Sequence, residues 1–501
     1  MCEVPQSSVG EVKCVSARSR TLLLLGWLFV LLCYIHQVHF DSATPVSRLD
    51  LLHSVWTHHS LTIDEYHERT PDKAVANGHY YSDKAPGTVA LAFPGFAVSA
   101  LALKVLGVGV ESKTGWLATS WAACASSQAL PAAVGAVLLW VWLTGFVGQR
   151  TAFITIVALW LGSMPLPYST LLFSHAQVVG LIATAVWAID LLGECRIDVP
   201  VESSCSGSPG GASGNPPFAG PTRGRLALAG FCLGLAVASE YTVGLIAVTL
   251  ALYVVLRRRH GLWAFAVGAT IPLLLIPAYS WATVGSPWTL PYSYQASFPQ
   301  MKEGLYAIKW PDAVTASSLL FSPTRGLFFW SPFLVLAGFG YPVLFRRSSG
   351  GFWLMYALPL LQIAVISGRV WDWQAGFAFG ARYLAPILPL LALPCALGVQ
   401  RWPKAGMTLA AYSIGVTTLA TLTDTCASYA IYSPLTELNI PKFLTGEFSH
   451  NFGMTVLGLP PYASVAAYCA ILIGGGWWLW RHLPAEGPSD TATMGKMERN
   501  L

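Results

Sequence analysis

Charge is scarce in this chain: Asp, Glu, Lys and Arg make up only 11% of its 501 residues, against 54% hydrophobic, and the mean hydropathy is +0.54. A water-soluble fold of this size cannot cover its surface from so few charges, which excludes secreted, nuclear and soluble-enzyme classes. The ten cysteines form no CxxC pair, which argues against a zinc ribbon or a thioredoxin-like site. There is no HExxH, no Gly-rich nucleotide turn and no solenoid-period repeat, and the short alternating segments of a membrane barrel are missing too. Apolar runs of spanning length recur instead from residue 21 to residue 480, which predicts an all-α polytopic membrane protein. The net charge of +5 carries no implication for nucleic acid, and no nucleic-acid partner is expected.

The first span is expected at 21 to 39, retained and entering from the cytoplasm after Lys13, Arg18 and Arg20, since no small-residue cleavage site follows it. Later spans are expected near 152 to 168, 177 to 193, 226 to 239, 242 to 256, 262 to 283, 328 to 345, 352 to 367, 383 to 399, 406 to 423 and 462 to 480. Basic clusters at Arg150, Arg196/Arg223/Arg225, Arg257 to Arg259, Arg346-Arg347, Arg401/Lys404 and Arg481 fit a cytoplasmic side that also holds both termini, residues 1 to 20 and 481 to 501. The stretch 85 to 149 then makes either one crossing, for twelve spans in all, or three, for fourteen; twelve is preferred. An N-terminal module over 21 to 256 holds the outer loop 40 to 87 and a Gly/Pro/Ser-rich inner linker at 194 to 225, and a C-terminal module over 257 to 480 has outer loops at 284 to 327, 367 to 382 and 424 to 461. Within the first outer loop, Val46, Leu49, Leu52 and Val55/Trp56 alternate with Ser47, Arg48, Asp50 and His53 at helical spacing, which predicts an interfacial amphipathic helix over 46 to 59.

The residues able to carry chemistry gather at the outer boundary. Asp41 follows the first span, where partial desolvation raises a carboxylate toward the range of a general base; it also simply marks the end of a hydrophobic run. Lys84, in Tyr81-Ser82-Asp83-Lys84-Ala85-Pro86-Gly87, stands at a Pro-Gly turn suited to holding a lipid-linked phosphate, or to anchoring at the interface. Arg325 and Arg382 lie on the side disfavoured for positive charge and need an anion, a phosphate or a protein carboxylate such as Asp372. His79, Tyr81, His175, Glu240 and Asp372 are candidates to line the same cavity. Seven of the eleven histidines lie between residues 36 and 79, but without recognised ligand spacing, so no tightly bound metal is expected.

This order of first span, boundary Asp41, amphipathic helix, Tyr81 to Gly87, and later Arg325-Gly326-Leu327-Phe328 and Gly380-Ala381-Arg382-Tyr383-Leu384 resembles the C-type polytopic glycosyltransferases. Within them it is most similar to the bacterial group of protein O-mannosyltransferases and the lipid A aminoarabinose transferase. The resemblance implies that Asp41 stands at the catalytic centre and that Lys84 contacts a polyprenyl phosphate. Ala85 replaces a proline often found in that turn, and Ser42 stands where a carboxylate-pair metal site would need a second acid.

The implied reaction moves a sugar from a polyprenyl-phosphate donor to a hydroxyl or amine of a lipid, glycan or protein acceptor, at the outer face of a bacterial cytoplasmic membrane. Asp41 is expected to take the acceptor proton in a single inverting displacement, and Lys84, Arg325 and Arg382 to stabilise the leaving phosphate. No cofactor is expected. Trp56, Trp288, Trp371 and Trp373 are candidates to stack on sugar rings or to anchor at the interface. The rivals are a lipid or sugar transporter or flippase, a ligase that takes a preassembled lipid-linked glycan, and an assembly factor without catalysis. A transporter calls for charges along a through-path.

Overall fold

The computed structural model describes residues 17–37, 42–193, 220–302 and 308–484. Asp41, most of the linker and both extreme termini lie outside them. Among the described residues the chain is almost wholly helical, and seven helices are long and apolar enough to cross a membrane: Gly87–Val105, Lys113–Leu143, Arg259–Val284, Ser349–Ser367, Arg382–Arg401, Pro403–Thr423 and Pro461–His482. Shorter apolar helices at Arg20–Ile35, Gln149–Leu161, His175–Ile189 and Tyr241–Arg257 join them in a single bundle. The protein is therefore an all-α polytopic membrane protein.

The bundle has two chemically different ends. At one, arginines bond to main-chain carbonyls: Arg150 to Leu483 O at 3.1 Å, Arg258 to Asp190 O at 3.3 Å, Arg347 to Phe146 O at 3.3 Å, and Arg225 to Trp187 O. Several of these carbonyls close a helix, where the macrodipole favours a cation. At the other end the loops are stitched together. Ser42 Oγ donates to Phe377 O (3.4 Å), Ala296 N to Lys73 O (3.0 Å), Thr324 Oγ1 to Tyr432 O (2.8 Å) and Phe452 N to His36 O (2.8 Å). Contacts among Ser42, Lys73, Ala296, Thr324, Phe377 and Tyr432 thus gather at one end, and Arg150, Arg225, Arg258 and Arg347 gather at the other.

Helix α1 (Ala17–Ile35) is followed at the loop end by α2 (Ala43–Thr57), a two-stranded antiparallel hairpin of β1 (Lys73–Ala76) and β2 (His79–Ser82), α3 (Gly87–Val105) and α4 (Lys113–Leu143). Asn77 and Gly78, at φ of 53° and 80°, make the hairpin turn, whose left-handed backbone suits an Asn-Gly pair. Helix α4 has 31 residues, about 46 Å at 1.5 Å per residue, and runs antiparallel to α1. Trp121 Nε1 donates to Ile35 O (2.8 Å) at the loop end, and Trp140 lies 2.9 Å from where a Cβ on Gly26 would stand, farther along. Helix α3 behaves differently. Its first residue, Gly87, abuts Ser239, while Glu111, just beyond its end, bonds to His53 of α2 at 3.0 Å. Both ends of α3 therefore sit at the loop end, and only α4 travels the length of the bundle between residues 85 and 149.

Helix α2 corrects one expectation. It forms at Ala43–Thr57, close to the expected 46 to 59, yet its polar side faces protein: Ser47, Arg48, Asp50 and His53 are all buried. Leu49 and Leu52 pack on Ala92, Phe96 and Ala100 of α3, while the segment 64–84 and Glu111 cover the opposite face. An amphipathic period identifies two unlike faces but not whether the polar one meets water.

Candidate active site

Lys84 sits on the short link between β2 and α3, and three contacts fix that link. Ser47 Oγ reaches both Ser82 Oγ (2.8 Å) and Asp72 O (2.6 Å). Tyr279 OH donates to Ser82 O at 2.8 Å. A Cβ at Gly87 would stand 2.6 Å from Ser239 Oγ and 2.7 Å from the Ala238 carbonyl carbon, so only glycine lets the turn dock against the end of helix Arg223–Ser239. The Lys84 ammonium is buried, with Asp72 Oδ2 at 3.0 Å, Asp83 Oδ1 at 3.3 Å and the Tyr292 ring centre at 5.2 Å. Asp72 is held in turn by Thr44 Oγ1 at 2.6 Å.

Burial alone would lower the Lys84 pKa, but the Asp72 and Asp83 carboxylates outweigh it and hold the ammonium above its ordinary range. For Asp72, burial is outweighed by Lys84 and by the Thr44 and Lys84 hydrogen bonds, which keep it low. Asp83 goes the other way: burial pushes it up to about 6, with Lys84 pulling it back and Asp72 adding to the rise. Lys84 therefore already has anionic partners within the protein.

Arg382 and Arg48 are less fully matched. Arg382 is stacked on Phe173 (4.6 Å) and Tyr383 (5.0 Å) and donates through Nη2 to Tyr383 OH (3.3 Å), and its Nε has no hydrogen-bond partner among the described residues. Arg48, projecting inward from α2, gives Nη1 to Leu172 O at 3.0 Å and leaves Nε unbonded among the described residues. Burial lowers the pKa of Arg48, Glu240, Tyr292 and Asp72 pull it back up, and the positive charge of Arg382 lowers it further. The two buried guanidiniums thus repel one another, with Glu240, Tyr292 and Asp72 near enough to Arg48 to offset part of that repulsion, an arrangement that favours a further anion beside them.

The remaining candidates separate. Arg325 is buried with Nε bonded to Gln374 O (3.1 Å), Nη1 to Thr324 O (3.2 Å) and Nη2 to Gly376 O (3.0 Å) and Ala427 O (2.7 Å). Two of these carbonyls flank Ala375 and Gly376, at φ of 60° and 66°. Such a left-handed backbone persists at a non-glycine only when its surroundings hold it, so the contacts of Arg325 are those of a clamp on the loop that leads into Arg382. Asp372 pairs with Arg369 (2.7 Å) and accepts from Tyr383 OH (3.2 Å), not with Arg382 as its spacing suggested. His175 is buried edge-on to Tyr168 at 4.9 Å and Tyr383 at 6.3 Å, and Glu240 accepts from Ser174 (2.9 Å) and Thr242 (3.1 Å), beside the same space. His79 does not line it: the ring is exposed and bonds to Asp64 at 2.7 Å, because the hairpin turn points away from the bundle. Tyr81 packs with Ala76 and Val284 on the outer side of the hairpin. Trp288 is 90% exposed and meets none of these groups.

Sequence alone did not single out Arg48, Asp72, Arg369 or Tyr292 as site residues. Arg48 looked like part of a solvated face, and the others are single polar residues in loops without a motif. An apolar hollow of about 330 Å³ is walled by Leu51, Leu52, Val89, Phe93, Leu275 and Tyr279 and reaches Pro86, two residues from Lys84. Among the described residues no group of three His, Cys, Asp or Glu side chains is arranged to hold a metal.

A second buried acid lies on α2 away from Lys84. Neither oxygen of Asp50 is hydrogen-bonded among the described residues, and Arg69 Nη1 is 3.9 Å away. Burial pushes Asp50 up to about 8 against the pull of Arg69, with Glu111 adding to the rise. A folded-state value above the unfolded one, about 4, means that the protonated acid favours folding. That contribution is present in acid and is lost as pH rises from about 4 to about 8. Asp50→Asn is accordingly expected to match the parent's melting temperature near pH 4 and to exceed it at pH 9; an equal gap at both pH values rejects the assignment.

No family model matches the chain, and no curated protein matches it. Among solved structures it is similar to ArnT from Cupriavidus metallidurans in the apo state, at a TM-score of 0.48 and 15% identity, covering 92% of this chain and 75% of that one. The same protein bound to undecaprenyl phosphate gives 0.45 and 15%, covering 93% and 75%. The arabinosyltransferase EmbB from Mycobacterium smegmatis gives 0.41 and 12%, covering 94% of this chain and 42% of that one. These neighbours are polytopic membrane glycosyltransferases, the group that the motifs around Asp41 and Lys84 resemble.

Proposed function

We propose that the chain is a membrane glycosyltransferase that moves a sugar from a polyprenyl-phosphate donor to an acceptor hydroxyl or amine. The observation that carries this reading is the pair of buried, incompletely matched guanidiniums, Arg48 and Arg382, in electrostatic reach of one another and of Asp72, the partner of Lys84, with an apolar hollow that reaches Pro86. A polyprenyl phosphate has the matching halves: an anion that relieves the repulsion between the arginines and a chain for which the hollow is the right solvent. The hollow reaches Pro86, two residues along the chain from Lys84.

In this reading Asp41 takes the proton of the acceptor as its oxygen or nitrogen attacks the anomeric carbon. The bond from that carbon to the phosphate oxygen breaks, and the configuration inverts. Polyprenyl phosphate departs with the electron pair, and Arg48, Arg382 and the field of Lys84 stabilise the charge that grows on it. Arg325 contributes at one remove, by holding the loop that presents Arg382. The loop end then faces outward from a bacterial cytoplasmic membrane and the arginine-capped end faces the cytoplasm, in keeping with the positive-inside bias. Acceptor choice falls to the outer loops at 284 to 327 and 424 to 461, since loops tolerate variation on a fixed helical frame.

The test is transfer by the purified protein in vesicles supplied with a series of radiolabelled polyprenyl-phosphate sugars and membrane acceptor extract. Label is expected to leave the donor lipid for a new product with at least one sugar. Movement of unaltered donor across the bilayer without product supports a flippase instead, and no turnover of any donor rejects the proposal.

A further inference from the structure

We infer that Gln177, in a buried relay with Gln128 and Ser239, is a positioning residue: it sets the separation between the segment that Arg48 and Arg382 contact and the turn that carries Lys84. Those two segments belong to different helices. Arg48 Nη1 donates to Leu172 O at 3.0 Å and Arg382 stacks on Phe173 at 4.6 Å, in the chain that leads into helix His175–Ile189. The Lys84 turn docks instead through Gly87 against Ala238 and Ser239, at the end of helix Arg223–Ser239. A donor phosphate that meets both arginines and the field of Lys84 therefore needs the start of one helix and the end of the other held in register.

Gln177 spans the two. Its Nε2 donates to Ser239 Oγ at 2.8 Å and its Oε1 accepts from Gln128 Nε2 at 3.2 Å, while its main-chain N–H, in the first turn of its helix, donates to Gln128 Oε1 at 3.3 Å. Ser239 Oγ donates in turn to Leu235 O at 2.7 Å, and a Cβ on Gly87 would stand 2.6 Å from that same oxygen. Gln128 lies in Ala125–Ala129, where α4 makes one turn of π-helix, a distortion that recurs at functional sites. All three side chains are fully buried, and every polar atom of the two amides is bonded. Farther along, the backbones of α4 and helix His175–Ile189 touch: a Cβ on Gly180 would run into Pro131 O, and one on Gly135 into Gly180 O. Apolar packing holds such helices together without fixing how they slide, whereas an amide bonded at each atom accepts one register. The rival is plain stabilisation, because buried polar side chains also join membrane helices. Two contacts favour positioning. The relay ends on Ser239, against which the Lys84 turn rests, and Ser174 Oγ donates to Glu240 Oε2 at 2.9 Å, tying the same two helix ends beside the arginines.

The experiment compares the full chain with Gln177→Leu/Ser239→Ala, which cuts the relay while Gln128 keeps its bonds to the main-chain N–H of position 177 and to Ser127 Oγ. Hydrogen–deuterium exchange, which needs no substrate, is expected to quicken at 84 to 90 and 172 to 178 and to stay as in the parent at 403 to 423. Polyprenyl phosphate, titrated by native mass spectrometry in detergent, is expected to bind the variant at least about tenfold more weakly at an unchanged melting temperature. Thr184→Val, farther along the same helix, is expected to alter neither quantity. The binding arm rests on the proposed function and the exchange arm does not. Parent-like exchange at both segments overturns the inference, and so does faster exchange throughout, 403 to 423 included, with a lowered melting temperature. Undiminished polyprenyl phosphate binding by a variant whose two segments exchange faster also overturns it, leaving the relay a stabilising contact. A parent that binds no polyprenyl phosphate rejects the donor reading; faster exchange confined to the two segments then still supports the relay as what holds the Lys84 turn in register.

Discussion

Replacing Asp41 by asparagine is expected to lower sugar transfer by about 10²- to 10⁴-fold, the usual contribution of a positioned general base, while leaving the melting temperature near that of the parent. Asparagine keeps the size of the side chain and its hydrogen bonding but cannot accept the acceptor's proton. Both flanks of Asp41 are anchored at the loop end, Gln37 by pairing with Asn451 and Ser42 by its bond to Phe377 O at 3.4 Å. The Ser42 contact leads into the loop that Arg325 clamps and that presents Arg382. The measurement is release of label from a radiolabelled polyprenyl-phosphate sugar in vesicles; near-normal turnover by Asp41→Asn removes Asp41 from the mechanism.

The helices were legible because their signal is long and redundant. The runs expected at 352 to 367, 406 to 423 and 462 to 480 appear as Ser349–Ser367, Pro403–Thr423 and Pro461–His482, each bounded by Pro, Gly, Ser or basic residues that end an apolar stretch. Lys84 and Arg382 stood out in the sequence because a charge at the edge of an apolar run is conspicuous. Their partners did not. Asp72 lies in a polar loop and meets Lys84 only because the hairpin folds the chain back, and the Asn77-Gly78 turn that makes this possible occupies two residues. Arg48 was read as solvated because periodicity carries no information about what covers a polar face. Asp372 and Arg325 show the same limit from the other side: spacing named plausible ions, but their partners, Arg369 and a set of main-chain carbonyls, are chosen by loop geometry.

Lys84→Met poses the sharper question, because Lys84 has a structural duty that any test of its chemistry must first remove. Taking away the ammonium leaves Asp72 and Asp83 buried together without a counter-charge, and breaking a buried ion pair in this way typically costs about 3 to 5 kcal/mol. The single variant is therefore expected to melt at lower temperature and to yield less folded protein whether or not Lys84 ever meets a phosphate. Adding Asp72→Asn and Asp83→Asn removes the stranded charges at nearly constant volume, and the triple variant is expected to recover most of the lost stability. Its donor affinity is the informative quantity. If Lys84 contributes its field to the donor phosphate, the refolded triple variant still binds polyprenyl phosphate more weakly than the parent, with acceptor affinity less affected. Unchanged donor affinity confines Lys84 to the ion triad and leaves phosphate recognition to Arg48 and Arg382. In that event Arg48→Gln, which strands no acid within salt-bridge reach among the described residues, carries the loss of donor binding instead.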